Sequence, residues 1–266
     1  DLYIHDFTDS SDKKISGGVF SAPAWNPNGH VVYYSKKPKF PDKNGSKYYD
    51  LYEYNLSTEK EKRITQSSRA FSPVFVTKDS SIAYLATYDG SQDIYQLNLK
   101  SREIIKITNF EDRPIISSLI YNEKDHSLYF DISTNHYRDI GMISLSDTVY
   151  KMVLNSPNWD ERNLTFTKNG SIIYSDDRSG IFNLYLIDTL NQKQGYLTNV
   201  YGGSFMSDIS QNGKILYSLY DNGGYKIAMI DSPDIIDESI VGYSPSYHLK
   251  NKELSDPIVE LDTTRS

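Results

Sequence analysis

The serines are the residues of this 266-residue chain most able to act as nucleophiles, because the sequence contains no cysteine. A serine hydrolase would place its nucleophile in a Gly-x-Ser-x-Gly turn, and the nearest string runs from Gly242 to Ser246. This string lacks the final glycine and has Pro245 where the turn must enter a helix. The sequence therefore predicts no nucleophilic serine. Without cysteine it also excludes disulfides, thiolate zinc sites and iron–sulfur clusters.

The histidines are too scattered to suggest a metal centre. The chain has five, and they are His5, His30, His126, His136 and His248. None forms a His-x-His or His-x-x-x-His pair, which could present two imidazoles to one ion. The glycine pairs at 202–203 and 223–224 do not fit a phosphate-binding loop and are expected to be turns. We expect neither a metal nor another cofactor.

Three carboxylate pairs could in principle perform acid–base chemistry on a sugar or related substrate. They are Glu111-Asp112, Asp160-Glu161 and Asp176-Asp177. All three fall in predicted connections between strands, where a solvated charge is the ordinary state of a carboxylate. The sequence thus predicts no catalytic residue and a protein that is not an enzyme.

The charge balance restricts the class of partner. Lys and Arg number 28 against 35 Asp and Glu, giving a net charge of −7. That sign disfavours nucleic acid and anionic membrane surfaces. The hydrophobic content of 38% is enough for a buried core, yet no apolar run reaches the roughly 18 residues of a membrane span. The chain starts at Asp1 with no signal-like segment, so we expect a processed product or a piece of a longer protein.

A repeat organises the chain and must position any functional residue. Short alternating runs start with Leu or Ile and end four residues later at Asp, Asn or Ser, at spacings of 43 to 49 residues. These runs are 2–6, 51–55, 94–98, 140–144, 184–188 and 227–231. The alternation predicts strands, and the polar final residue favours a tight turn after each of them.

A second series of turns lies half a period away. The turns are Asn28-Gly29, Asp79-Ser80, Asp125-His126, Asn169-Gly170 and Asn212-Gly213, and the strands after them carry Tyr33, Tyr84, Phe130, Tyr174 and Tyr217. Strands are also predicted before the turns, for example at 20–25, 71–76 and 164–167, and a fourth run closes the unit at 15–16, 64–65, 107–108 and 197–198. A four-stranded antiparallel unit of about 45 residues is typical of a β-propeller blade. A β-sandwich with coincidental spacing is the alternative.

The strand count predicts an all-β, six-bladed β-propeller whose first blade is incomplete at the N-terminus. The repeat contains six third strands but only five pairs of first and second strands, because the chain begins inside a blade at Leu2. The missing pair would come from upstream residues or, less favourably, from a strand at 239–243. We therefore expect a propeller over residues 1–243 and a linker or C-terminal tail over 244–266.

The repeat resembles that of the TolB-like propeller family. The resemblance lies in Ser72-Pro73, Asp79, Ile82-Ala83-Tyr84, Asp89-Gly90, Ile94-Tyr95 and Ile107-Thr108, and it recurs across residues 1–231. The last blade, from Leu197 to Tyr225, also resembles those of bacterial envelope proteins in which such a propeller precedes an outer-membrane barrel. This resemblance implies a periplasmic or extracytoplasmic location, with further domains of the same polypeptide upstream and downstream.

The propeller topology predicts one recognition surface. Loops that begin the innermost strands rim the channel of such a ring, and exposed Arg, Trp and Tyr side chains are frequent binding hot spots. The predicted partner-binding residues are Arg69, Asp112, Arg113, Trp159, Asp160, Glu161, Arg162 and Tyr201. The acidic members temper the positive charge, which favours a mixed-charge protein or peptide segment over a polyanion.

Three functions remain at this stage. The first is a non-catalytic propeller that binds a protein or peptide within a larger envelope protein. The second is the substrate-gating propeller of a prolyl-oligopeptidase-type serine peptidase, which a hydrolase sequence downstream would support. The third is a propeller sugar lyase with a metal in its channel, which the lack of clustered histidines disfavours.

Overall fold

The computed structural model describes residues 1–88, 90–134 and 137–242, so the expected tail at 244–266 lies outside the described residues. The chain divides into two compact units, Asp1–Phe166 and Thr167–Ser266, which we call unit 1 and unit 2 and describe separately. The described part is built from antiparallel strands and one short 3-10 helix. No helix within it has the length and apolarity needed to cross a bilayer.

Unit 1 contains sheets in which each strand pairs with the next strand in the chain. The N-terminal sheet has only two strands, β1 (Leu2–Asp6) and β2 (Ser11–Ser16). Three four-stranded sheets follow. They are β3 (Ala24–Trp25), β4 (Val31–Lys36), β5 (Asp50–Asn55) and β6 (Lys60–Arg63); β7 (Ala70–Val76), β8 (Ser81–Tyr88), β9 (Ser91–Asn98) and β10 (Ile104–Lys106); and β11 (Ile115–Asn122), β12 (Ser127–Ser133), β13 (Arg138–Ser144) and β14 (Tyr150–Leu154). The last strand of unit 1 is β15 (Glu161–Phe166).

Unit 2 continues the same strand order. Its strands are β16 (Ile172–Asp176), β17 (Asn183–Asp188), β18 (Lys193–Tyr196), β19 (Ser204–Ile209), β20 (Ile215–Asp221) and β21 (Gly224–Ile230). β17 pairs with β16 and β18, and β20 pairs with β19 and β21. The strand considered at 239–243 does not form in its described part: Glu238–Ile240 is a 3-10 helix, because Asp237 accepts the Ser239 amide and starts a tight turn.

The predicted repeat is confirmed at the level of its strands. The six predicted third strands coincide with β1, β5, β9, β13, β17 and β21, and the aromatic residue of the second strand is buried at Tyr33, Tyr84, Phe130 and Tyr174. The strand expected over 20–25 shortens to β3, because Pro23 has no amide hydrogen to donate to a ladder. Apolar residues of neighbouring sheets bury one another, as in the unit 1 cluster of Ile94, Leu128 and Phe130.

Each of three repeats is closed by the same hydrogen bonds, which we call the repeat latch. In the first, the Thr65 hydroxyl donates to Asp50 Oδ1 over 2.9 Å and accepts the Leu51 amide at 2.9 Å. Asp93 with Thr108 and Asn183 with Thr198 repeat this geometry, each pair again separated by 15 residues. Because the first residue lies at or near the beginning of the third strand and the threonine follows the fourth, the latch fixes these two strands in register.

Where the first residue of the latch is an aspartate, a cationic residue stands two positions before the threonine and pairs with that aspartate. Arg63 lies 2.5 Å from Asp50 and Lys106 lies 2.9 Å from Asp93. The N-terminal sheet has the same spacing in Lys14, which pairs with Asp1 at 2.5 Å. Where the first residue is the neutral Asn183, Tyr196 occupies the cation's position. In the repeats of Asp50 and Asp93 the cation therefore balances the buried carboxylate, which limits the cost of burying it.

The first strands share a bulge. A non-glycine residue in the left-handed region interrupts β7, β11, β15 and β19; these residues are Ser72, Ser118, Asn163 and Met206, with φ of 48°, 52°, 56° and 51°. Side chains of other strands hold the bulge of β15. The Asn163 amide donates to Asp131 Oδ1 at 2.9 Å, and the Asn163 side-chain nitrogen donates to Ser118 Oγ at 2.7 Å. These bonds position the beginning of β15 on β11 and β12.

The latch makes a stability prediction. Thr108→Val should lower the free energy of unfolding by about 1–3 kcal/mol, because it leaves the Ile94 amide without its acceptor and takes a donor from buried Asp93. Urea unfolding measures the change. Thr189→Val is the matched control on an exposed turn and should change it by less than about 0.5 kcal/mol. Equal effects of the two substitutions would contradict the assigned role of the latch.

Candidate partner-binding site

Most of the predicted site residues lie just ahead of the first strands, as the repeat requires, and Glu161 and Arg162 are the first two residues of β15. In unit 1, Arg69 precedes β7 by one residue, Arg113 precedes β11 by two and Trp159 precedes β15 by two. In unit 2, Tyr201 precedes β19 by three. These positions follow from the meander, because a chain that leaves the fourth strand of one repeat must return before the next first strand begins.

Arg69 and Arg113 present their side chains from strained backbone. Their φ angles are 53° and 49°, a region that residues with a Cβ rarely adopt. Both residues are exposed, and the Arg69 guanidinium lies 4.5 Å from the centroid of the Tyr48 ring. Within the described residues Arg113 has no hydrogen bond or ion pair, and neighbouring Asp112 is also exposed. Such strain without an internal contact is a feature of functional loops.

Residues 159–162, which we call the Trp159 segment, form a connected group. Glu161 is only 2% exposed and accepts hydrogen bonds from the Trp159 indole nitrogen at 3.3 Å and from the Ser156 hydroxyl. Arg162 pairs with Asp160, whose other oxygen accepts the Arg138 amide at 3.0 Å. The half-buried Trp159 ring is therefore held in one orientation, and Glu161 acts by fixing this ring.

The Trp159 segment rests on a buried carboxylate that sequence reasoning did not select. Asp131 in β12 is 1% exposed and accepts the amide of Asn163, the residue that follows the segment. Burial raises the pKa of Asp131 to about 7, although hydrogen bonds from Asn163 and Ser118 and the charges of Arg138 and Arg162 act in the opposite direction. The available signal was an aspartate inside the otherwise apolar run of β12.

Tyr201 is the predicted contact residue of unit 2, and it is almost fully exposed. Its side chain is 93% exposed and sits beside Gly202, where an added Cβ would lie 2.0 Å from the Tyr220 carbonyl oxygen. Only glycine fits this close approach, so the turn that presents Tyr201 depends on it.

The structure brings together only part of the predicted set. Trp159, Asp160, Glu161 and Arg162 contact one another, whereas Arg69, Asp112 and Arg113 form no hydrogen bond or ion pair with this group among the described residues. Over residues 1–88, 90–134 and 137–242, no group of three or more histidine and carboxylate residues is placed to hold a metal ion. The arrangement offers contact chemistry from aromatic, cationic and acidic groups.

Unit 2 also contains a groove of about 690 Å³ at the turn ends of its strands. Its apolar lining includes Ile173, Leu186 and Ile215, and Asn169 and Asn212 contribute polar atoms from the hairpin turns. Asn212 lies at the end of β19 opposite to the end that Tyr201 precedes, so the groove is separate from the predicted contact residue of this unit.

Comparison with known proteins establishes the fold. No family model matches the sequence, and no curated protein matches it either. The crystal structure of TolB from Acinetobacter baumannii has a TM-score of 0.70 at 19% identity, with 86% of this chain and 56% of that chain covered. A protein described as TolB from Agrobacterium tumefaciens gives 0.69 at 13% identity, covering 86% and 83%.

A third similar structure comes from a protease. The β-propeller domain of the Trilobed protease from Pyrococcus furiosus has a TM-score of 0.57 at 9% identity, with 86% of this chain and 83% of that chain covered. The chain is thus an all-β propeller that is structurally similar to TolB β-propeller domains, and it spans 56% of the Acinetobacter protein's structure. At these identities the similarity shows the fold and leaves the activity open.

The buried Asp131 predicts a pH dependence of stability. Its folded-state pKa of about 7 lies above the ordinary value of 3.8, so its favourable contribution is present below about pH 4 and is lost as pH rises through 7. Asp131→Asn, which keeps an acceptor and cannot ionise, should remove about 2.5 kcal/mol of the stability difference between pH 5 and pH 8. Burial also raises the pKa of Asp139, so its contribution to the pH dependence has the same sign.

Urea unfolding at the two pH values measures this effect. The exposed Asp112→Asn is the matched control and should keep the wild-type profile, because its carboxylate is already solvated. Identical profiles for the wild type and Asp131→Asn would contradict the assignment.

Proposed function

We propose that the chain is a non-catalytic β-propeller module, a binding or scaffold domain that recognises a protein or peptide partner through the loops ahead of its first strands. The contact residues in unit 1 are Arg69, Asp112, Arg113 and the Trp159 segment, and Tyr201 is the contact residue in unit 2. No cofactor takes part in this function.

The observation that carries the proposal is the fixed Trp159 side chain beside a paired arginine. Buried Glu161 holds the indole, and Asp160 holds Arg162, so little side-chain freedom is lost when a partner binds. Trp and Arg are also the residues that most often dominate binding energy at protein interfaces. Exposed Arg113, in left-handed backbone with no internal ion pair among the described residues, adds a cation that is available to a partner.

The charges favour a mixed-charge partner. Arg69, Arg113 and Arg162 supply positive charge, while Asp112 and Asp160 lie beside them in the sequence. A polyanion such as nucleic acid would meet these carboxylates and a net charge of −7, so we exclude it as the partner. A peptide segment with both signs of charge and an apolar side chain for Trp159 fits better.

The proposal includes a wider setting. The two-stranded β1–β2 sheet and the five larger sheets support six blades, the first of which lacks its inner strands. The similarity to TolB structures and the envelope-type resemblance of the last repeat favour a periplasmic or extracytoplasmic location within a larger envelope protein. This segment itself would not insert into a membrane.

A second candidate is the substrate-gating propeller of a prolyl-oligopeptidase-type peptidase. The observation that favours it is the similarity to the Pyrococcus protease propeller domain, most of which this chain covers. A hydrolase sequence next to this segment in its gene would support the gating function, and the contact residues would then face the substrate.

The proposed surface is tested by alanine substitutions of contact residues and of a matched control arginine. Peptides that bind the wild-type chain are first selected from a displayed library of short random peptides. Arg113→Ala and Trp159→Ala should then each weaken binding by about 2 kcal/mol, which is roughly thirtyfold in Kd. Arg102→Ala is the matched control, because Arg102 is also exposed with a positive φ of 64° but lies in the turn between β9 and β10.

The control should leave Kd within about twofold, as should Asn28→Ala and Asn212→Ala in other hairpin turns. Equal losses for Arg113→Ala and Arg102→Ala, or losses only in the turn variants, would show that the wrong surface has been assigned. Failure of the library to yield any peptide binder would count against peptide recognition.

The proposal also predicts that the purified chain hydrolyses neither peptides nor glycosides, because no nucleophile–base pair is recognisable in its sequence. Fluorogenic peptide and aryl glycoside substrates provide the measurement. Turnover that disappears on substitution of a single serine or carboxylate, for example Glu161→Gln, would overturn the non-catalytic assignment.

A further inference from the structure

The last strand of unit 2 exposes a row of large apolar side chains. Tyr225, Ile227 and Met229 alternate along β21 and are 71%, 81% and 50% exposed. Alternate residues of a strand lie on the same face of the sheet, so these three form one surface. Met206 from β19 is also highly exposed, and it lines a shallow depression of about 190 Å³ with Leu216 and Ile227.

The same position is buried in four other repeats. Ile227 pairs with Ser218 in the middle of the second strand, as Leu51, Ile94, Ile140 and Leu184 pair with residues of their own second strands. These four equivalents are all 0% exposed. The position carries a branched apolar residue in all six third strands and is fully buried in four of them, so it is a packing position. Among the described residues, nothing covers it in the sheet β19–β21.

The cover in the other repeats is the next hairpin in the chain, formed by a first and a second strand. Leu51 belongs to a cluster with Ala70, Ile82 and Tyr84 from β7 and β8. Ile94 clusters with Ile116, Leu128 and Phe130 from β11 and β12. In both covering hairpins the second strand carries a branched apolar residue followed two positions later by an aromatic one.

We propose that the exposed face of the sheet β19–β21 binds a β-hairpin of this first-and-second-strand type, contributed by polypeptide outside these 266 residues. Its branched apolar residue fills the depression between Met206 and Ile227. The strand count independently requires one such hairpin, because the described residues contain six third strands and only five pairs of first and second strands.

A second copy of this chain is a poorer occupant. Each copy has the same deficit of one hairpin, so it could supply one only by uncovering a packing position of its own. The proposal goes beyond the partner-binding function, and its test involves neither the Trp159 segment nor a peptide ligand.

The test adds a hairpin of known sequence to the full chain. A second copy of residues 70–88, which contains β7 and β8, is joined ahead of Asp1 through a Gly/Ser linker of about 20 residues, long enough to reach across a small domain. We expect amide hydrogen exchange over residues 224–230 to slow at least tenfold relative to the unmodified chain. Ile82→Asp with Tyr84→Asp in the added copy, or Ile227→Glu in the chimera, should abolish the protection.

Each other result overturns the proposal. Unchanged exchange at 224–230 in the chimera would show that the face does not accept a blade-type hairpin. Concentration-dependent protection of these residues in the unmodified chain, with dimers detected by light scattering, would assign the face to a second copy. Protection in the unmodified chain that disappears on deletion of residues 244–266 would assign it to the chain's own C-terminal segment.

Discussion

The architecture depends on the hydroxyl of a threonine that bridges two strands of the same repeat. Each of these residues, Thr65, Thr108 and Thr198, accepts one backbone amide near the start of the third strand and donates to the side chain of the residue before that amide. Since backbone amides at strand ends otherwise lack partners in a dry interior, the hydroxyl satisfies a buried donor and fixes strand register together. In the repeat β11–β14, Leu154 stands where the other repeats have the threonine, and Asp139 accepts the Ser156 amide.

The candidate site inherits its geometry from this framework. The latch fixes the register of the third and fourth strands, and the irregular backbone lies in the first strands. In β15, hydrogen bonds to Asp131 and Ser118 hold Asn163 in the left-handed conformation. The Trp159 segment directly precedes Asn163, so its position depends on the hydrogen bond between Asn163 and Asp131 in β12. The candidate site therefore combines backbone in a sparsely populated conformation with side chains held by hydrogen bonds.

The sequence was sufficient for the fold because its signal is periodic. Alternating runs ending at a polar turn residue recur in register, and such patterns depend on local chemistry that can be recognised in a single sequence. The sequence did not identify Asp131, since a buried carboxylate is defined by neighbours distant in the chain. It also treated Glu161 as a surface residue, because nothing local indicates that Trp159 and Ser156 enclose it.

Both members of the repeat latch lie within one repeat, 15 residues apart, together with the cation that balances the carboxylate. A segment of DNA that encodes one repeat therefore encodes a complete set of matched partners. Duplication of that segment would give a new repeat already able to lock its outer strands, and loss of it would leave the remaining latches intact. Chains of this type can change their number of repeats by single genetic events, with the exposed faces at the ends as the surfaces that must adapt.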